Sequence, residues 1–112
     1  MDKKRNIESY FDGVIENINI ILSNDFYTDK NNLKKVRKIV GNWYKNYKEN
    51  NTLKGINPKE LEYIGLEITD FFDRYLIKES SKDNYSERLS YDFGHLELSW
   101  KEEMLGGKNS DW

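Results

Sequence analysis

The chain has 112 residues, with 18 Lys and Arg against 20 Asp and Glu, one His and no Cys. That length suits one domain with a small core, so residues 1–112 are expected to fold as a unit. The lack of Cys excludes disulfide scaffolds, thiolate metal sites, iron–sulfur clusters and cysteine nucleophiles, and a lone His excludes His-rich zinc sites. An aromatic fraction of 14% argues against disorder. There is no Ala and no Gln, but there are thirteen Asn. This bias is that of an AT-rich genome, such as a low-GC bacterium or its mobile elements. Helix stability must therefore come from packed apolar stripes rather than from Ala propensity.

The first predicted element runs from Asn6 to Leu22. Ile7, Tyr10, Phe11, Val14, Ile15, Ile18, Ile21 and Leu22 recur at the spacing of one helical face. Asn6 is the expected N-cap, and Ser23, Asn24 and Asp25 the expected stop. The basic Lys3-Lys4-Arg5 start resembles a signal-peptide n-region, but Glu8, Asp12 and Glu16 interrupt any apolar run behind it. The longest apolar runs are three residues, such as Ile20 to Leu22, so no membrane span is expected. The expectation is a soluble cytoplasmic protein.

The second element, Lys30 to Glu49, carries Leu33, Val36, Ile39, Val40, Trp43, Tyr44 and Tyr47 at helical steps. Thr28 or Asp29 is the expected cap, and Asn50-Asn51-Thr52 the expected end. Gly41 lies inside, where its small size suits a close helix approach. Trp43, Tyr44 and Tyr47 alternate with Lys45 and Lys48, a pattern able to stack bases and clamp phosphates. Their spacing follows the helix's own apolar stripe, so a core role is expected.

The third element has the clearest start. Asn57-Pro58-Lys59-Glu60 places Asn at N-cap, Pro at N1 and Glu at N3. Leu61, Ile64, Ile68, Phe71, Phe72 and Tyr75 form its stripe, and Leu66, Leu76 and Ile77 are expected to widen it. Lys78 to Asp83 is a polar break.

The fourth element, Tyr85 to Leu105, supports two readings. Tyr85, Leu89, Phe93, Leu96, Trp100 and Met104 step as a helix, with Gly106-Gly107 as its stop. Leu89, Tyr91 and Phe93 alternate as in a strand, and so do Leu96, Leu98 and Trp100, with a phase change at Gly94. The helix is the expected form. It gives an all-α fold, a four-helix bundle or an irregular helical domain. The alternative is three helices plus a C-terminal β-hairpin at about 85–100. Residues 106–112 are expected to form a loose tail.

Charge is nearly balanced overall but unevenly placed. Residues 28–56 hold eight cations against Asp29 and Glu49, a net charge of +6, and residues 57–81 and 82–112 each come to −3. This uneven charge has three readings, and the basic block is the subject of the first two. It complements acidic helices within the molecule, or it offers Lys34, Lys35, Arg37, Lys38 and Lys45 to nucleic-acid phosphates, or the acidic remainder meets a basic partner protein. A pI of about 5.5 weighs against a dedicated nucleic-acid domain.

No catalytic constellation is persuasive. Asp92 and His95 share a helical face, but there is no second His to complete a metal site. Glu67, Asp70 and Asp73 form an acidic ladder that resembles a solvated face more than a Mg²⁺ site. P-loop, dinucleotide, nucleophile-elbow and EF-hand patterns are absent. No enzyme activity, cofactor or metal is expected, and nothing sets the oligomeric state.

The expected function is a small binding or inhibitor protein that occludes a partner protein's functional surface through acidic patches, as immunity proteins, antitoxins and phage-type inhibitors do. The expected partner is a toxin or nuclease with a basic surface. Glu60, Glu67, Asp70, Asp73, Glu97, Glu102 and Glu103 are the candidate steering and contact groups, with Trp100 and Trp112 as apolar anchors. The alternative is a nucleic-acid-binding regulator that uses the basic helix.

Overall fold

In a computed structural model the chain forms four α-helices, α1 (Lys3–Leu22), α2 (Asn31–Asn50), α3 (Pro58–Lys78) and α4 (Tyr85–Met104). The structure describes residues 3–25, 30–78 and 85–105, with side chains described from 6–25, 30–74 and 85–105. The fold is an all-α four-helix bundle. The β-hairpin alternative for 85–100 is overturned, because that stretch is continuous helix.

Each helix buries its stripe in one shared core. Phe11, Val14, Ile18 and Ile21 of α1 meet Leu33, Val36, Val40, Trp43 and Tyr47 of α2 there. Leu61, Ile64, Ile68 and Phe71 of α3 join them, with Leu89, Phe93 and Leu96 of α4. α1 packs most extensively on α4, α3 also packs on α4, and α2 joins α1 to α3. Facing residues show antiparallel neighbours. Tyr10 and Gly13 of α1 lie against His95 and Asp92 of α4. Phe11 stacks on Tyr44, while Arg37 reaches Asn19 eight residues further along α1.

Local chemistry sets the helix ends. α1 begins by Lys3, so Asn6 lies within the helix rather than at its cap. Lys and Arg are better helix formers than Asn, and nothing in Lys3-Lys4-Arg5 breaks the helix. At its other end the Ser23 hydroxyl donates to the Asn19 and Ile20 carbonyls, and Lys30 Nζ donates to the Leu22 and Asn24 carbonyls at 2.9 Å. α2 starts after Lys30, which makes no side-chain cap, while Thr28 and Asp29 lie outside the described residues. Asn51 ends α2 in the left-handed region at φ 59°, its N–H bonding the Tyr47 carbonyl, a role Asn fills at low steric cost. Asn57 caps α3 as its sequence demands, with Oδ1 accepting from the Lys59 N–H at 2.8 Å.

Two expectations about packing fail. Gly41 permits no close approach, since a Cβ there would meet nothing within 4 Å. The close approach occurs at Gly13, where an added Cβ would fall 2.1 Å from Asp92 Oδ2. Leu66 does not widen the core stripe of α3, for it is 63% exposed. It lies two residues before Ile68, and two residues turn a helix by about 200°, away from the core. The side chains of Tyr75, Leu76 and Ile77, the Gly106-Gly107 stop and the 106–112 tail lie outside the description.

Candidate functional site

Eight of the nine acidic and aromatic candidates divide into three groups. Glu60 and Glu103 serve the fold. Glu60 Oε1 accepts from Trp43 Nε1 at 3.4 Å, across the α2–α3 seam. Glu103 accepts from the Thr52 hydroxyl and, at 2.9 Å, from the Leu53 N–H, which fastens the α2–α3 connection to the end of α4. Asp73 and Glu102 are exposed, Asp70 is exposed and bridged to Arg74 at 3.0 Å, and Glu67 is half-buried. Glu97 and Trp100 line a groove between α3 and α4. Trp112 lies outside the described residues.

That groove encloses about 420 Å³. Leu61, Ile68 and Phe93 come from the core into its wall, and Leu66 and Trp100 add apolar surface. Glu62 of α3 and Glu97 of α4 bring carboxylates to it, with Lys101 reaching Glu97 at 3.7 Å. Gly65 and Gly94 face it from the two helices. A Cβ at Gly65 would meet the Phe93 ring at 3.3 Å, whereas one at Gly94 would meet nothing within 4 Å. The Trp100 indole Nε1 is buried without a hydrogen-bond partner, as is the Ser86 hydroxyl.

The exposed apolar side chains of α3 and α4, of which Leu66 lines the groove, were not among the sequence candidates. Leu66, Tyr91, Leu98, Met104 and Leu105 are the exposed large apolar side chains among the described residues, each at least 47% exposed. All belong to α3, to α4 or to the residue after it. Tyr91 and Leu98 stand three before and four after Gly94, so they share its helix face. Their signal was present in the sequence as the apparent strand alternation. It arises because apolar residues occupy both the inner and the outer face of α4. Acids sit among them: Glu62 and Asp70 lie one turn either side of Leu66, and Glu87 and Glu102 lie one turn from Tyr91 and Leu98.

The basic candidates lie elsewhere. Lys34, Lys35, Lys38 and Lys45 are exposed on α2, and Arg37 donates to Asn19 Oδ1. Lys34, Lys38 and Lys45 step by four and seven along the side turned from the buried Val36, Val40 and Trp43. Among the described residues, the ion pairs Asp70–Arg74 and Glu97–Lys101 lie within single helices, and none joins α2 to an acid of another helix. Among the described residues, direct pairing between helices therefore does not account for the basic block.

The α2 aromatics are occupied. Trp43 and Tyr47 are buried. Tyr44 stacks on Phe11 at 4.7 Å, with Lys48 Nζ 4.3 Å from its ring centroid. Burial, a hydrogen bond to Asp12 and nearby carboxylates push the Tyr44 phenol up to about 12. His95 is flanked by Tyr10, stacked at 4.7 Å, and Tyr91, edge-on at 4.5 Å. Asp92 lies against Gly13, and burial raises its carboxyl above the ordinary 3.8, with His95 and Arg88 opposing. Among the described residues no group of three or more His, Asp or Glu is placed to hold a metal ion, and no helix is long and apolar enough to cross a membrane.

Comparison with protein-family models, with curated proteins and with solved structures finds no match to this chain.

Proposed function

We propose that this chain is a cytoplasmic, non-enzymatic binding protein that covers the basic functional surface of a partner protein with its α3–α4 face. One observation carries the reading. All the exposed large apolar side chains among the described residues gather on α3 and α4, in the company of acids. Covering a half-exposed Leu or Met contributes on the order of 1 kcal/mol. Several such residues together supply a few kcal/mol toward the roughly 4–15 kcal/mol that association costs. Carboxylates on the same two helices, Glu62, Asp70, Asp73, Glu97 and Glu102, attract a basic partner and repel an acidic one. A toxin or nuclease, whose own substrate-binding surface is basic, has the matching chemistry, and covering that surface inhibits it. Glu60 and Glu103 support this face through the fold rather than by contact.

Affinity capture from a low-GC bacterial lysate tests the reading. The wild-type chain is expected to retain a stoichiometric protein and to suppress that protein's activity. Leu66→Lys with Leu98→Lys should weaken retention at least tenfold. Lys34→Glu, Lys38→Glu and Lys45→Glu together should leave it intact. Retention that depends on the lysines and not on the leucines would overturn the assignment.

A second reading rests on Lys34, Lys38 and Lys45, which are exposed and, among the described residues, form no ion pair with an acid of another helix. Such a row can neutralise phosphates on nucleic acid, and its signature is a steep fall of affinity with salt in a mobility-shift titration.

A further inference from the structure

We infer that the occupant of the α3–α4 groove is an amphipathic α-helix of the partner protein, apolar on one face and flanked by Lys or Arg. This rests on the reading of α3–α4 as the partner face. The groove runs between two antiparallel helices from Pro58 and Lys101 to Thr69 and Ser90. At the rise of an α-helix that is about 16 Å, or three turns. Its walls are helices whose backbone groups already bond within each helix, so they offer no edge for strand addition. An extended segment pressed into it would bury unpaired N–H and C=O groups. A helix satisfies its own backbone and presents anchors at i, i+3 or i+4 and i+7.

Charge settles which helix. Glu62 and Glu97 stand at the groove, where Lys101, 3.7 Å from Glu97, is the one cation among the described lining residues. An entering helix with Lys or Arg beside its apolar ridge pairs with these acids. A second copy of this chain fits poorly. Its own α3–α4 face would set acids against acids. The solvent side of its α2 offers Lys34, Lys38, Gly41 and Lys45, with no apolar anchor among them.

A synthetic Leu/Lys amphipathic peptide of about 15 residues, long enough to form a helix, is the probe, followed by fluorescence anisotropy against the full chain. Gly94→Gln is the blocking variant. Gln is a better helix former than Gly, and the space around Gly94 is open, so this variant folds while its side chain fills the groove without changing charge. Gly41→Gln on α2 is the matched control, since that site is equally open. The expected result is binding that Gly94→Gln weakens at least tenfold and Gly41→Gln changes less than twofold. The peptide should gain helix content on binding, and a Leu/Glu analogue should bind at least tenfold more weakly.

Equal binding by both variants, or no binding by the wild type, overturns the inference. So does a wild-type dimer that Gly94→Gln dissociates, which would make a second copy the occupant. Binding seen only after removal of residues 106–112 would assign the groove to the chain's own C-terminal segment and also overturn it. If partner capture is lost in the Leu66→Lys, Leu98→Lys variant while the peptide fails to bind, the partner face stands and the helical occupant falls. If capture survives that variant, the face itself is wrong.

Discussion

At the residue scale, the contact between Gly13 and Asp92 links α1 to α4 and stores an electrostatic cost. The carboxylate sits where a Cβ would otherwise be, and burial disfavours its charge more than His95 and Arg88 favour it. The folded-state pKa therefore lies above the unfolded value. Below the unfolded pKa both states hold the proton and stability is highest. As pH rises through the folded pKa, that part of the stability is lost. Asp92→Asn, which removes the charge but keeps the shape, should raise the thermal midpoint at pH 7. Its advantage should vanish as the pH falls below 3.8. A variant less stable than wild type at neutral pH would show that the attraction of His95 and Arg88 for the Asp92 charge outweighs its burial. Neither partner in this contact could be foreseen. Asp92 stood out only as sharing a helical face with His95, and Gly41 only as a glycine small enough for a close approach, because spacing shows which residues share a face but not what faces them.

At the element scale, the legible features were those with a local physical cause. The Asn57-Pro58 cap and the Asn-rich end of α2 are fixed by side-chain bonds and by tolerance of the left-handed region, and both appear where the sequence places them. The α1, α2 and α3 stripes were legible for the same reason. α4 was ambiguous because Tyr91 and Leu98 are apolar yet outward-facing, which imitates strand alternation. The α2–α3 connection held a hidden function. Leu53 and Ile56 are buried within it, and Glu103, fifty residues on, accepts the Leu53 N–H. No periodicity links residues so far apart. Hydrogen bonds to a charged group contribute about 1.5–3 kcal/mol, and losing this one leaves a buried donor unpaired. Glu103→Ala should cost that much in urea unfolding, and Glu103→Gln, which keeps an acceptor, should cost less. A change within about 0.5 kcal/mol would mean that the connection holds its place without α4.

At the scale of the whole molecule, near-zero net charge conceals two different faces. α2 turns lysines to solvent, and α3 with α4 presents acids around exposed apolar side chains and a groove. The charge blocks were visible in the sequence, but their meaning needed geometry. The acids chosen from the charge pattern included Glu60 and Glu103, which also bond within the fold, and the candidates omitted the exposed Leu66, Tyr91 and Leu98. Hydrogen exchange on the chain bound to its captured partner tests the central claim most directly. The account predicts slowed exchange in α3 over 58–70 and in α4 over 90–105, with α2 unchanged over 34–45. Slowed exchange confined to α2 would contradict it.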